Sequence, residues 1–427
     1  MRVGTKYIIK EEENPWINKR QDGLDNKKNP QLKALWDKID QKKQELFQIA
    51  FDELDAAAKE RMDLFGMESP FYVKQEGVDK DGNPKEPYKM RNMFSAGNKK
   101  LPKNVLIINL TSPLACPSYH SGLCLISNGY CYAQNIHNGK PNPRYRGFMT
   151  DVLMTQMLQQ YQKGNKVPMR KYYSLVEMYI NVAHKVAKDA FRQSLEMVER
   201  TGIRITADMY KALWIVAKQE EISEIRLNEA GDFPCQLSVD LWFDFARKVG
   251  KKYGIRFNTY SARLLDFSKK PDNFSVMPSR DDINIGDEPK RRFKPVTARV
   301  YNSKEDPDGP PVNMKTYQPN LMRDNNGEYY YKCPCVDDSS NCNNCQICFH
   351  TNQTGVPYTI YVALHGTNSA NGLRYLFTDK EIKQTMKTAI ENGWITPEER
   401  KIYNSRATKN RLSNFSDKIM NQRNRDN

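Results

Sequence analysis

Asn104-Val-Leu-Ile-Ile-Asn-Leu110 decides the fold class. The run is largely apolar and too short for a helix, and it suits a strand buried on both faces, as in a parallel sheet. Two further strands follow at long intervals, Glu224-Ile-Arg-Leu-Asn228 and Ile255-Arg-Phe-Asn-Thr-Tyr260. Between the first two, Thr150 to Gln219 carries helical signals, broken at Gly164–Pro168 and at Gly202. Between the last two, Ser238 is placed to cap a helix over 239–250. Weaker strand patterns cover 273–277, 296–301 and 358–365. Strands alternating with helices predict an α/β architecture. About six parallel strands in such an order predict a partial or complete (β/α) barrel.

Outside this core the patterning changes. Leu32, Leu35, Trp36, Ile39, Leu46, Phe47, Ala50, Phe51 and Leu54 recur at steps of three and four, predicting an N-terminal helical extension packed on the main domain. Residues 74–100 are rich in Lys, Gly, Asn and Pro and read as a linker. Helices are expected over 379–392 and 397–405, and the tail from Arg400 is basic. Four segments result. They are an arm with amphipathic helices (1–100), a barrel-like core with a cysteine loop (101–325), a cysteine-rich metal-bound segment with the last core strand (326–375), and C-terminal helices with a basic tail (376–427).

The chain has 427 residues and a formal net charge of +15, which favours polyanionic partners such as nucleic acid or a nucleotide. It has no apolar run long enough for a membrane-spanning helix, and Met1–Pro15 lacks the apolar core of a secretory signal, so no membrane partner and a cytoplasmic location are expected. Nine cysteines in a reducing compartment point to metal binding or catalysis rather than to disulfides. Neither a phosphate loop nor a dinucleotide fingerprint is present.

Eight of the nine cysteines fall into two groups. Cys116, Cys124 and Cys131 lie on the loop that follows the first strand. Three thiolates are one short of a structural zinc site, for which His120 or His137 is a candidate fourth ligand. They also suffice to hold a four-iron cluster with one iron open. Cys333, Cys335, Cys342, Cys345 and Cys348 form the second group, with two successive two-residue spacers and His350 close by. That spacing lets thiolates converge on one ion and predicts a zinc site or a second iron–sulfur cluster.

Glu229-Ala-Gly231-Asp232 ends the second strand, where parallel α/β folds bind ligands. Glu229 and Asp232 offer acceptors and Gly231 permits close approach. Asn258, Tyr260, Ser261 and Arg263 at the next strand end are candidates to line the same mouth. Arg144, Tyr145 and Arg146 are placed to reach a carboxylate or phosphate near the first cysteines. Lys290-Arg-Arg-Phe-Lys294 reads as an exposed charged loop, and Tyr329 to Tyr331 precede the second cysteine group.

The order of these motifs resembles the phage "gene product 88" family. The shared elements are Cys116/Cys124/Cys131-Tyr132-Ala133, Gly231-Asp232-Phe233, Thr259-Tyr260-Ser261, Cys342/Cys345/Cys348 and His365-Gly366-Thr367. The resemblance covers about residues 104–375. That family is distantly similar to radical S-adenosylmethionine enzymes, which place a three-cysteine loop after the first barrel strand and a glycine–acid motif after the second. Here the spacers of the loop are longer, seven and six residues. The resemblance implies a 4Fe-4S cluster on Cys116, Cys124 and Cys131. It also implies that S-adenosylmethionine is seated with help from Gly231 and Asp232 and shielded by Tyr132, in a phage protein working in a bacterial cytoplasm or carried in a virion. The alternative is a zinc-stabilised, non-catalytic nucleic-acid-binding or virion-associated protein.

Overall fold

The computed structural model describes residues 30–51, 72–74, 76–78, 82–85, 88–90, 93–98, 101–124, 133, 141–296, 312–313, 318–319, 321–324, 326–333, 345–350, 352, 354–363 and 379–405. The expected arm over 1–28, the tail beyond 405, and Cys131, Tyr132, Cys335, Cys342, His137 and His365 lie outside these. In chain order the elements are α1 (Pro30–Phe51), β1 (Tyr72–Lys74), β2 (Tyr88–Met90), β3 (Ser95–Ala96), β4 (Val105–Ile108), α2 (Pro117–Ser121), α3 (Pro141–Gln162), α4 (Val167–Arg200), α5 (Ala207–Lys218) and β5 (Glu224–Leu227). They continue with α6 (Gln236–Tyr253), β6 (Arg256–Ser261), β7 (Phe274–Pro278), β8 (Arg291–Val296), β9 (Val312–Asn313), β10 (Gln318–Pro319), β11 (Met322–Arg323), β12 (Tyr329–Lys332), β13 (Tyr358–Ala363), α7 (Asp379–Glu391) and α8 (Pro397–Ser405). No helix among the described residues is long and apolar enough to cross a membrane.

These residues fall into two compact units, one within Met1–Gln48 and Arg170–Glu221, the other within Ile49–Met169 and Ile222–Asn427. The first unit is helical. In α1, Leu32, Ile39, Leu46 and Phe47 are buried, as their three- and four-residue spacing requires. Trp36 meets Tyr179 of α4 edge-to-face, with ring centroids 5.8 Å apart. Phe191 of α4 makes similar contacts with Tyr210 and Trp214 of α5. So α1 packs within a helical unit.

The second unit is α/β. One sheet has the order β3-β4-β5-β6-β7; β4 to β7 run parallel and β3 is antiparallel at the edge. All four residues of β4 and of β5 are buried, the two-sided burial that an apolar run signals. One face packs on α6, whose Val239, Trp242, Phe243, Phe245, Ala246 and Val249 are buried. Phe257 of β6 and Phe274 of β7 stack with centroids 5.6 Å apart, and Phe243 meets Phe274 at 4.9 Å. Ser238 is not the cap of α6. Cys235 holds that position, and Ser238 is its partner three residues on, its hydroxyl donating to the Cys235 carbonyl at 2.6 Å.

The second sheet has the order β11-β12-β13-β8, with β12, β13 and β8 parallel. Here strand order departs from simple winding, because β13 lies between β8 and the earlier β12. Strand β7 also lies against β8. The run Lys290–Lys294, expected as an exposed loop, instead supplies most of β8. Arg291 is 1% exposed, its guanidinium bonded to Ser275, Glu288 and the Ile347 carbonyl. Internal partners, rather than solvent, take its two terminal nitrogens, while its Nε is buried with no hydrogen-bond partner.

The loop after β6 and the start of α8 are joined by a fully buried ion pair, with Arg263 and Glu399 both at 0% exposure. Arg263 Nε and Nη2 donate to the two Glu399 oxygens at 2.6 and 2.7 Å, and the remaining donors reach the Phe233, Pro234 and Trp394 carbonyls. Every donor of the guanidinium is used. Burial alone would raise the Glu399 carboxyl, but Arg263 and backbone donors outweigh it and hold it below the usual range. Arg263→Ala leaves a buried carboxylate without its partner and is expected to cost about 3–5 kcal/mol in urea unfolding. A group with a depressed folded pKa contributes stability above the ordinary glutamate value of about 4.3 and loses it as pH falls through the folded value. The wild-type urea midpoint should therefore fall more steeply than that of Glu399→Gln between about pH 5 and pH 3. Parallel curves would show that Glu399 is not ionised in the fold.

Candidate functional site

The carboxyl ends of β4, β5 and β6 lie side by side and carry the candidate residues. After β4 the chain runs through Asn109 and Thr111 to the first cysteine loop. Cys116, 7% exposed, occupies the position before α2, with Pro117 as the first helical residue. Gly122 closes α2 in the left-handed region at φ 82°, and the Cys124 amide donates to the Ser118 carbonyl at 3.0 Å. Cys116 and Cys124 are thus held on one tight turn. His120 is buried, and its Nε2 donates to the Leu114 carbonyl. That bond engages one ring nitrogen of the candidate fourth ligand.

Asp232 fixes this loop to the neighbouring strand ends. It is 3% exposed. Its Oδ2 accepts from Ser118 Oγ at 2.6 Å and from the Ala262 amide at 2.9 Å. Its Oδ1 accepts from Ser261 Oγ and from the Phe233 amide, both at 2.8 Å. Burial pushes the carboxyl up, while Ser118, Ala262, Arg263 and Ser261 pull it back. The Asp232 backbone pairs with Thr111, amide to hydroxyl and hydroxyl to carbonyl, each at 2.9 Å. Asp232 therefore faces the protein interior and spends both oxygens on the scaffold. Gly231, at φ 80°, lets Thr111 approach so closely that a Cβ would sit 2.0 Å from the Thr111 carbonyl oxygen. Asn228, also left-handed at φ 56°, accepts from the Leu110 amide through its side chain.

Glu229 faces elsewhere. Asn98 Nδ2 donates to it, and it lies close enough to Arg146 of α3 to favour that cation electrostatically. Burial acts first on Arg146 and lowers its pKa, and its Nε is buried with no hydrogen-bond partner. Asp151 of α3 accepts from the Ser112 amide at 2.6 Å and from its hydroxyl. Thr385 of α7 donates to the Leu114 carbonyl at 3.2 Å, so a C-terminal helix also braces the cysteine loop. Arg263, expected at the mouth, is instead the buried strut on Glu399.

The described part of the second cysteine group lies against the opposite face of the parallel strands. Cys345, 6% exposed, packs with Met277, Tyr331, Ile347, Tyr358 and Ile360, and Cys333 and Cys348 border the same cluster. Tyr260 Oη donates to Cys348 Sγ at 2.9 Å. Burial pushes the Tyr358 hydroxyl up to about 12, with Arg291 pulling it down and Cys348 and Cys345 adding to the rise. Phe349 sits on Val105 and Ile107 of β4. His350 Nε2 accepts from Arg256 Nη1 at 2.8 Å, and burial, then Arg256 and Arg291, lower its pKa to about 4. The imidazole is neutral, with Nε2 directed at an arginine.

Among the described residues no three His, Cys, Asp or Glu side chains form a metal-binding group. No disulfide joins any two of the described cysteines. Cys235, outside both groups, is buried, and burial raises its pKa, as for a packed and unreactive thiol.

Sequence reasoning passed over Arg226. It is 9% exposed in the middle of β5, with Nη1 donating to Asn258 Oδ1 at 2.9 Å and its guanidinium carbon 3.9 Å from the Tyr260 ring centroid. The available signal was a lone cation inside an otherwise apolar buried strand.

No protein-family model, curated protein or solved structure matches the chain.

Gly231→Ala is expected to loosen the cysteine loop through displacement of Thr111, lowering stability by about 1–3 kcal/mol. It should also speed alkylation of Cys116 under native conditions. Gly164→Ala, at φ 93° with open space around it, carries backbone strain without the clash and serves as the control. Equal alkylation rates in the two variants would show that the Gly231–Thr111 contact does not hold the loop.

Proposed function

We propose that the chain is a phage-type iron–sulfur protein resembling radical S-adenosylmethionine enzymes, acting on a nucleotide or nucleic-acid substrate in a bacterial cytoplasm. The observation that carries this reading is the hydrogen bond from Ser118, inside the cysteine loop, to Asp232 of the glycine–acid turn. It holds Cys116 and Cys124 over the carboxyl ends of parallel strands, where α/β folds bind ligands. The donor set fits the group, since thiolates on a short loop are the ligands that iron–sulfur clusters take. Cys116, Cys124 and Cys131 would hold a 4Fe-4S cluster, which, given an electron from a reductant, would supply reductive cleavage of S-adenosylmethionine.

In this reading Asp232 positions the loop instead of touching the cofactor. Glu229, with Arg146 beside it, takes the role of polar contact at the strand ends, and Tyr132 shields the site. The two sheets are taken as one barrel-like layer, supported by the contact between β7 and β8. Cys333, Cys335, Cys342, Cys345 and Cys348 hold zinc or a second cluster, supported by the packing of Cys333, Cys345 and Cys348 around one apolar cluster.

A second reading has its own support. The segment Cys345–His350 covers part of the sheet face that a barrel enzyme would open to substrate, held there by Arg291 and Arg256. Such a plug suits a zinc-stabilised, non-catalytic nucleic-acid-binding or virion protein, and the net charge of +15 is compatible with it.

Metal analysis separates the two. Protein expressed with iron and cysteine supplied and purified without oxygen is expected to contain at least about four iron and four sulfide per chain, with broad absorbance. Replacing Cys116 and Cys124 by Ala should remove about four of those irons. Zinc alone, in a colourless protein after attempted cluster reconstitution, overturns the iron–sulfur reading.

A further inference from the structure

Ile107, Arg226, Asn258 and Ser275 are register partners on four adjacent parallel strands and therefore share one sheet face. Two of them carry hydrogen-bond donors that the described structure does not satisfy. Arg226 makes one hydrogen bond, to Asn258, and one ring contact, to Tyr260, and has no ion pair among the described residues. The carboxylate two residues back, Glu224, is engaged by Arg256. Asn258 is 1% exposed, its Oδ1 committed to Arg226 and its Nδ2 buried without a partner. Reversing the amide would set its nitrogen against the arginine, so this orientation is fixed.

A buried guanidinium without a counter-ion is costly, and so is a buried amide N–H₂ without an acceptor. Both are relieved by one group that brings negative charge and several acceptor oxygens. Arginine's planar fork matches a carboxylate or a phosphate in this way. The Tyr260 ring under the guanidinium holds its plane in position.

We propose that Arg226 and Asn258 form a binding subsite for the oxyanion of a ligand, a carboxylate or a phosphate, on the face of the β5–β6 pair that carries Tyr260. The subsite does not depend on the metal reading. Its donors come from strands, and neither residue is a candidate metal ligand.

The test is calorimetric titration of the full chain with inorganic phosphate and, separately, with malonate, at constant ionic strength set by chloride. Each titration is run on protein as purified and again after removal of bound metal. Saturable binding of one probe per chain is expected in the wild type, and the tighter probe identifies the source chemistry. Arg226→Met should weaken it at least tenfold, and Asn258→Ala more modestly. Arg247→Met, on the exposed side of α6, should leave it unchanged. If Arg226→Met fails to fold, Arg226→Lys keeps the charge, loses the fork and should still weaken binding. No saturable binding in either form, or equal binding in the wild type and the Arg226 variants, overturns the proposal. Binding confined to metal-free protein also overturns it, because the counter-ion of Arg226 would then be the thiolate-held metal group beside Tyr260.

Discussion

The carboxylate of Asp232 is the constraint around which the α/β unit is arranged. Four donors converge on it, from α2, from the last residue of β6 and the residue that follows it, and from its own turn. Moving the carboxylate would leave several buried donors without acceptors at once, and each such loss is costly in a dry interior. Gly231 is the steric condition for the arrangement, because only a residue without Cβ lets the turn reach Thr111. Arg263 lies behind the same turn and ties the Phe233 and Pro234 carbonyls to Glu399. The result is a polar scaffold, fully buried, in which aspartate and arginine act as joints between loops.

This arrangement shows why a strand-end acid need not face a ligand. An acidic residue following glycine at a parallel strand end carries two possible roles, one facing outward and one facing inward, and the spacing is the same for both. In this fold Glu229 and Asp232, three residues apart, divide the roles. Glu229 faces Asn98 and Arg146, and Asp232 faces the scaffold.

Much of the α/β order was legible because it depends on burial, which composition reports directly. The apolar run of β4 and the helical periodicity before β5 both correspond to observed elements. What could not be read was the identity of partners distant in the chain. Lys290 to Lys294 looks like a solvated loop unless Ser275, Glu288 and Ile347 are known to receive Arg291. Ser238 looks like a cap because serine is a common one, yet Cys235 takes the position and Ser238 answers from three residues on. Arg226 was hidden for the opposite reason, since the strand around it reads so clearly that its one cation drew no separate attention. The insertion of β13 between β8 and β12 is a choice of topology, and local pattern carries no signal for it.

The Arg263–Glu399 pair spans 136 residues of chain. At a synthesis rate of roughly 5–20 residues per second, Glu399 emerges from the ribosome roughly 7–27 seconds after Arg263. Strands β4 to β7 and helix α6 are all made by then and can begin to pair. Throughout that interval the guanidinium meant for the interior has no carboxylate to enter with, and staying hydrated is its favourable course. The loop after β6 must therefore wait for α8, so a later-made part of this unit closes a joint laid down well before it.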